Sequence, residues 1–337
     1  MLYFYITYTI LIIFINLYFK KKNFLSNYTG DAHQLFSNQK SIPLLGGIFL
    51  IFPMLLTNFE NMFYSLSIIL IFLVGILSDR KILISPQKRF LFQILLIFIS
   101  VMLLDLEIIS SRINFFDHLI KIKTINIIFT SFCVLILLNG SNFIDGLNGL
   151  LTIYMSIVIT ALLKLNLISD TFVNIELLTI LIFFLLILSL LNLCNMLMLG
   201  DAGAYILSFF VGYLIINSHK INPYISPYFY ISIIWYPCFE NLFSIIRKLK
   251  SKISPLEPDN RHLHQLLYIF LEKKFFKTKL SSNNAGSLII NTINLFIIYI
   301  SSMNPHSSKY QIKLIITSLI IYTVIFMILK NKTKKYE

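Results

Sequence analysis

The sequence predicts an all-α integral membrane protein, a polytopic bundle of about 10–11 transmembrane helices. Three observations carry this expectation. Of 337 residues, 57% are hydrophobic and only 13% charged, about half the charged share of an ordinary soluble domain. The apolar residues form long blocks instead of recurring at amphipathic spacing. The basic residues gather in alternate loops, as the positive-inside rule requires of a chain that crosses a bilayer repeatedly.

Residues 2–19 are apolar over the width of a bilayer and run into Lys20-Lys21-Lys22. No small-residue cleavage site follows them, so they read as a first span and not as a cleaved leader. Runs 44–58 and 63–77 are short for full spans, and Pro53 predicts a kink in the former. Runs 90–106, 125–138, 147–167, 176–199, 203–217, 226–246, 286–302 and 311–329 bring the candidate helices to eleven. No soluble domain interrupts them, so residues 1–337 read as a single transmembrane domain whose longest polar loop is 247–285. Loops 20–43, 78–89 and 247–285 with the C-terminal tail hold 21 of the 28 Lys and Arg residues. That side is expected to be cytoplasmic, with a periplasmic N-terminus and a cytoplasmic C-terminus.

The formal net charge of +13 is read as membrane anchoring and attraction for a phosphate-bearing substrate, with no nucleic-acid partner expected. Cys133, Cys194 and Cys238 lie in apolar runs without CxxC or Cys/His spacing. They argue against a disulfide framework or thiolate metal centre.

The polar clusters fall on the same predicted side: "SDRK" (78–81), "NGSNFIDGLNGL" (139–150), "LGDAGAY" (199–205) and "PDNRHLHQ" (258–265). Asn139, Asn142, Asp145 and Asn148 recur every third residue, which on a helix end sets them along one face. Their amide and carboxylate oxygens are hard ligands suited to Mg²⁺, and Gly140, Gly146 and Gly149 break regular helix and admit close backbone approach. Asp201 is either the cap of the helix it opens or a metal ligand. Asp79 suits a base or a phosphate-positioning carboxylate, with Lys88 or Arg89 on a diphosphate. Arg261, His262 and His264 suit phosphate oxygens, since two histidines at i, i+2 do not share a helix face for zinc. Glu240 is an ionisable group inside an apolar run, a costly placement that calls for a partner.

With "PLLGG", "GxxxDR", "NxxNFIDGxNGL", "LGDAG" and "PDNRHLH" in this order over about residues 31–270, the chain resembles the polyprenyl-phosphate N-acetylhexosamine-1-phosphate transferases. The resemblance implies a ten- or eleven-helix enzyme of the bacterial cytoplasmic membrane with a cytoplasmic active site. It implies Mg²⁺, with Mn²⁺ as the alternative ion, a UDP-N-acetylhexosamine donor and undecaprenyl phosphate as acceptor. The expected reaction releases UMP and initiates a lipid-linked glycan such as O-antigen, capsule or wall polymer. By the same likeness Asp79, Asp145, His262 and His264 take part in the chemistry, and Lys40, Lys88, Arg89, Asn139, Asn148 and Arg261 contact substrate. Asn142 and Asp201 ligate metal. Ser78 stands where many members carry a first Asp, and Asn148 where bacterial members commonly carry Asp. Only Lys40 and His33 remain of the early basic motif. The alternatives are a phospho-N-acetylmuramoyl-pentapeptide transferase, a catalytically inactive homologue and a polytopic transporter. A homodimer is left open.

Overall fold

The computed structural model describes residues 2–22, 25, 42–252, 254 and 261–333. Each apolar run becomes helix: α1 (Leu2–Lys22), α2 (Gly46–Thr57), α3 (Met62–Asp79), α4 (Pro86–Leu103), α6 (Lys123–Ile144), α7 (Leu150–Lys164), α8 (Ile175–Leu193), α9 (Gly200–Ile221), α13 (Lys279–Met303) and α14 (Ser308–Thr333). The run 226–246 is broken into α10 (Pro227–Ile233) and α11 (Trp235–Lys250), and two helices outside the runs appear, α5 (Asn114–Ile120) and α12 (Leu263–Lys274). Among the described residues seven helices are long and apolar enough to cross a membrane, or eight with α10–α11 as one span, and α2 and α7 are shorter apolar helices. The protein is an all-helical, polytopic membrane protein.

Local chemistry sets the helix starts. Asn61 and Asn174 accept the Tyr64 and Leu177 N–H groups at 3.0 Å, and Pro86 follows the capping Ser85 at the head of α4. These residues satisfy donors that the first turn leaves orphaned.

The break at Ile234 bends the chain by 78°. Pro237 lacks the N–H that would bond to the Ile233 carbonyl in a continuous helix. The Tyr154 hydroxyl of α7 donates to that carbonyl instead, at 2.9 Å. The orphaned acceptor is thus satisfied inside the protein, as an apolar surround demands.

α9 stands at the centre, packed by α2, α3, α6 and α7. The C-terminal ends of α3, α6 and α8 meet the N-terminal ends of α4, α7 and α9 at one end of the bundle. The segments that enter α2 and α9 run side by side there. Met198 donates to the Pro43 carbonyl at 2.9 Å, and Gly46 and Gly47 donate to the Met198 and Leu199 carbonyls at 3.0 and 3.1 Å.

Candidate active site

Asp201 lies in the first turn of α9, not at its cap. The cap comes from α3. The Asp79 carboxylate accepts the Asp201 N–H at 2.8 Å and the Ala202 N–H at 3.1 Å. A carboxylate at a helix N-terminus meets both the orphan donors and the positive end of the helix dipole. Two glycines make the approach feasible. Gly200 has φ +75°, and a Cβ there would stand 2.8 Å from Asp79 Oδ2; a Cβ on Gly75 would stand 2.2 Å from the Ala202 Cα. Asp79, placed by its sequence as a base or phosphate-positioning group, therefore has both oxygens engaged in setting the α9 N-terminus.

The Asp201 side chain is held on one oxygen. Its Oδ2 accepts from Ser78 Oγ at 2.5 Å, Arg89 Nη1 at 3.0 Å and the Tyr205 hydroxyl at 3.4 Å, and Arg89 Nη1 also donates to Ser78 Oγ at 2.8 Å. The Arg89 and Asp201 side chains are 26% and 13% exposed, so this charge pair is partly shielded from water and stronger than a surface pair. Ser78 thus joins α3, α4 and α9, a role that the departure from Asp at this position did not foretell.

Asn142 and Asp145 close α6, as a last-turn residue and its C-cap. The two are half-buried. Among the described residues neither side chain has a hydrogen-bond partner, and Asp201 Oδ1 likewise has none. Burial raises the Asp145 carboxyl well above its ordinary value, and the nearby charges of Asp201 and Asp79 push it further. Three carboxylates therefore converge with one firmly placed arginine among them.

The expected single face from Asn139 to Asn148 is not formed. Gly140 stays helical inside α6, whereas the chain leaves helix at Asp145 and Gly149 turns it with φ +70°. Asn139 donates to its own helix at Leu135 O, 2.9 Å away. Asn148 is buried in an amide network: its Nδ2 donates to Asn195 Oδ1 at 2.7 Å and Asn284 Oδ1 at 3.3 Å, and its N–H donates to Asn283 Oδ1 at 2.7 Å. The Gly149 N–H donates to Asn192 Oδ1. The sequence reading missed Asn192, Asn195, Asn283 and Asn284. Their signal was the "NLCN" pair three residues before "LGDAG" and the "NN" pair at the head of an apolar run.

His262 and His264 stack at 5.6 Å, and the His262 ring lies 5.0 Å from the Phe143 ring at the end of α6. His262 Nδ1 pairs with Glu240 Oε1 at 2.9 Å. His264 is wholly buried with both ring nitrogens unpartnered among the described residues, and its ring rests on Gly146. Burial pulls its pKa down to about 3, so it is neutral and brings no positive charge to phosphate. Lys88 and Arg261 are exposed, and Lys40 lies outside the described residues.

No group of three or more His, Cys, Asp or Glu among the described residues is disposed to hold a metal by itself. The donor set still fits Mg²⁺, which keeps several waters and needs one or two carboxylates plus substrate phosphates. Asp145, Asn142 and Asp201 Oδ1 are the uncommitted oxygens for it.

Residues 61–219 match a family model described as glycosyl transferase family 4. A relative from Yersinia pestis, described as undecaprenyl-phosphate alpha-N-acetylglucosaminyl 1-phosphate transferase, is 28% identical over 250 residues. That match covers 68% of this chain and 66% of the relative, a little under two thirds of its length. The matched segment contains Ser78, Asp79, Arg89, Asn142, Asp145 and Asp201, and across it the chain is similar to glycosyl transferase family 4.

Proposed function

We propose that the protein transfers an N-acetylhexosamine-1-phosphate from a UDP-sugar to undecaprenyl phosphate and releases UMP, using Mg²⁺. The observation that carries this reading is the meeting of Asp79, Asp145 and Asp201 at one end of the bundle, with the Asp145 side chain unpartnered among the described residues and its carboxyl pushed up. Such a site favours a cation. The reaction needs one, because a lipid phosphate and a nucleotide diphosphate repel each other.

An oxygen of the lipid phosphate attacks the phosphorus that bears the sugar, and the bond from that phosphorus to the UMP oxygen breaks. A new diphosphate joins lipid and sugar, and UMP leaves with the bonding electron pair. A phosphate monoester loses its second proton near pH 6, so the acceptor arrives as a nucleophile and no strong base is required. Asp79 can therefore serve by fixing Asp201. Arg89 brings a permanent charge to the diphosphate while it holds Asp201 in place. Asp201, Asn142 and Asp145 would hold Mg²⁺, which supplies charge neutralisation on the leaving diphosphate. By the positive-inside distribution this end of the bundle faces the cytoplasm, where nucleotide sugars are available. The likeness to the Yersinia pestis transferase supports the acceptor and the sugar phosphate.

The test is transfer of label from UDP-N-acetylglucosamine to undecaprenyl phosphate by purified protein with Mg²⁺, followed by a panel of other UDP-N-acetylsugars. Labelled lipid that is lost with EDTA and in Asp201→Asn is expected. Absence of product with every donor would leave an inactive homologue as the better account.

A further inference from the structure

We infer that Glu240 is a positioning residue for His262, and that Tyr322 in α14 ties the last helix to this pair. The inference rests on the transferase reading above. It starts from an expensive placement. Glu240 is completely buried on α11, where a lone carboxylate is strongly disfavoured. Its two oxygens are nonetheless well supplied. Oε1 faces His262 Nδ1 at 2.9 Å and accepts the Leu263 N–H at 3.3 Å, and Oε2 accepts the Tyr322 hydroxyl at 2.8 Å.

Each contact bears on the histidine. A carboxylate at Nδ1 fixes the proton on that nitrogen and with it the tautomer and orientation of the ring. Nε2 is left as the ring nitrogen without a partner among the described residues. The Leu263 bond clamps the backbone next to the ring, while the ring packs between Phe143 and His264. Phe143 directly follows Asn142, and His264 rests on Gly146 beside Asp145. The pair therefore sets a ring nitrogen of fixed tautomer against the end of α6, where the phosphates of the proposed reaction would gather.

The break between α10 and α11 makes the arrangement reachable, because it redirects α11 by 78° before Glu240. Tyr322 is seated among Trp235, Tyr236, Phe239 and Phe243, with ring centroids 4.9–6.4 Å away. Its ring is thus held by packing alone and its hydroxyl is left to Glu240.

A double-mutant cycle on the purified full chain tests this, with UDP-N-acetylglucosamine as donor. Glu240→Gln should lower kcat/KM by about tenfold to a hundredfold, the worth of one hydrogen bond to a charged group. In a His262→Asn background it should lower it no further. A multiplicative loss, or full activity in Glu240→Gln, overturns the proposal. Should Glu240→Gln fail to fold, Tyr322→Phe keeps the ring in its seat and serves the same cycle, with a smaller loss expected. ¹⁵N-histidine spectra separate this proposal from the reaction itself, since the chain has only six histidines. A proton on His262 Nδ1 that is strongly hydrogen-bonded in the parent and weakened in Glu240→Gln supports the pairing even if no transfer occurs. Identical spectra overturn it even if transfer does occur.

Discussion

Asp79 holds the backbone nitrogen of Asp201 at 2.8 Å, so the carboxylate of one helix determines where the first turn of another begins. Replacing it should affect stability and transfer together. Asp79→Ala is expected to cost about 1–2 kcal/mol, as a lost cap does, and to slow transfer at saturating Mg²⁺ by letting Asp201 drift. Thermal unfolding in detergent and initial rates check the pair of effects; a stable variant with lost activity would instead favour direct chemistry by Asp79.

Gly75→Ala should be costlier than an ordinary helix substitution. The new methyl would stand 2.2 Å from the Ala202 Cα, and backbone cannot step aside as a flexible side chain does. An overpacking loss of about 1–3 kcal/mol is expected, with reduced activity, since the α9 N-terminus must shift. An unchanged unfolding temperature would contradict the close crossing of α3 and α9.

Asn148 sits among four other asparagines, and its buried donors have specific acceptors. Asn148→Ala leaves Asn195 and Asn284 short of a donor and should cost about 1–3 kcal/mol. Asn148→Asp would place a carboxylate against two carbonyl oxygens and should destabilise more. Unfolding midpoints of the two variants decide the order.

Asp145 gives a pH signature. Its folded-state carboxyl is raised, by burial first and then by the Asp201 and Asp79 charges. The sign follows: the folded state binds this proton more tightly than the unfolded chain. Its favourable contribution is complete below about pH 4, the unfolded value, and is lost as pH rises through the folded value. In metal-free protein Asp145→Asn should therefore unfold at a higher temperature than the parent at neutral pH, with the gap closing toward pH 4. Mg²⁺ should stabilise the parent more than the variant, and more strongly as pH rises, because metal and proton compete for one group.

The sequence made the helices legible because long apolar runs need no tertiary information, and eleven runs all became helix. Two features escaped it for physical reasons. The break at Ile234 depends on a distant tyrosine, Tyr154, accepting the task of satisfying a carbonyl freed by Pro237. The helix α12 is short and amphipathic, so it carries no run of the kind that marks a span. For the site, motif order pointed to Asp79, Arg89, Asp145 and Asp201, and these do come together. It did not separate Arg89 from exposed Lys88, because side-chain direction is set by how α4 packs on α9. It also gave Asn139 and Asn148 to substrate, although the Asn139 Nδ2 donates to its own helix and the Asn148 Nδ2 to the asparagine network. Glu240 stood out as a cost in an apolar run, but its partners lie 22 and 82 residues away and no local pattern announces them.

Among the described residues α9 is the span most enclosed by its neighbours, with 89% of its apolar window buried, and it is the least apolar of the seven long ones. A helix sheathed in protein answers to its fellow helices and scarcely to oil. It is therefore free to begin with Gly-Asp-Ala-Gly and to carry His219 and Lys220 in its last turn. Screening variants for membrane insertion alone would pass many replacements in this helix that ruin the enzyme, since what they spoil is fit.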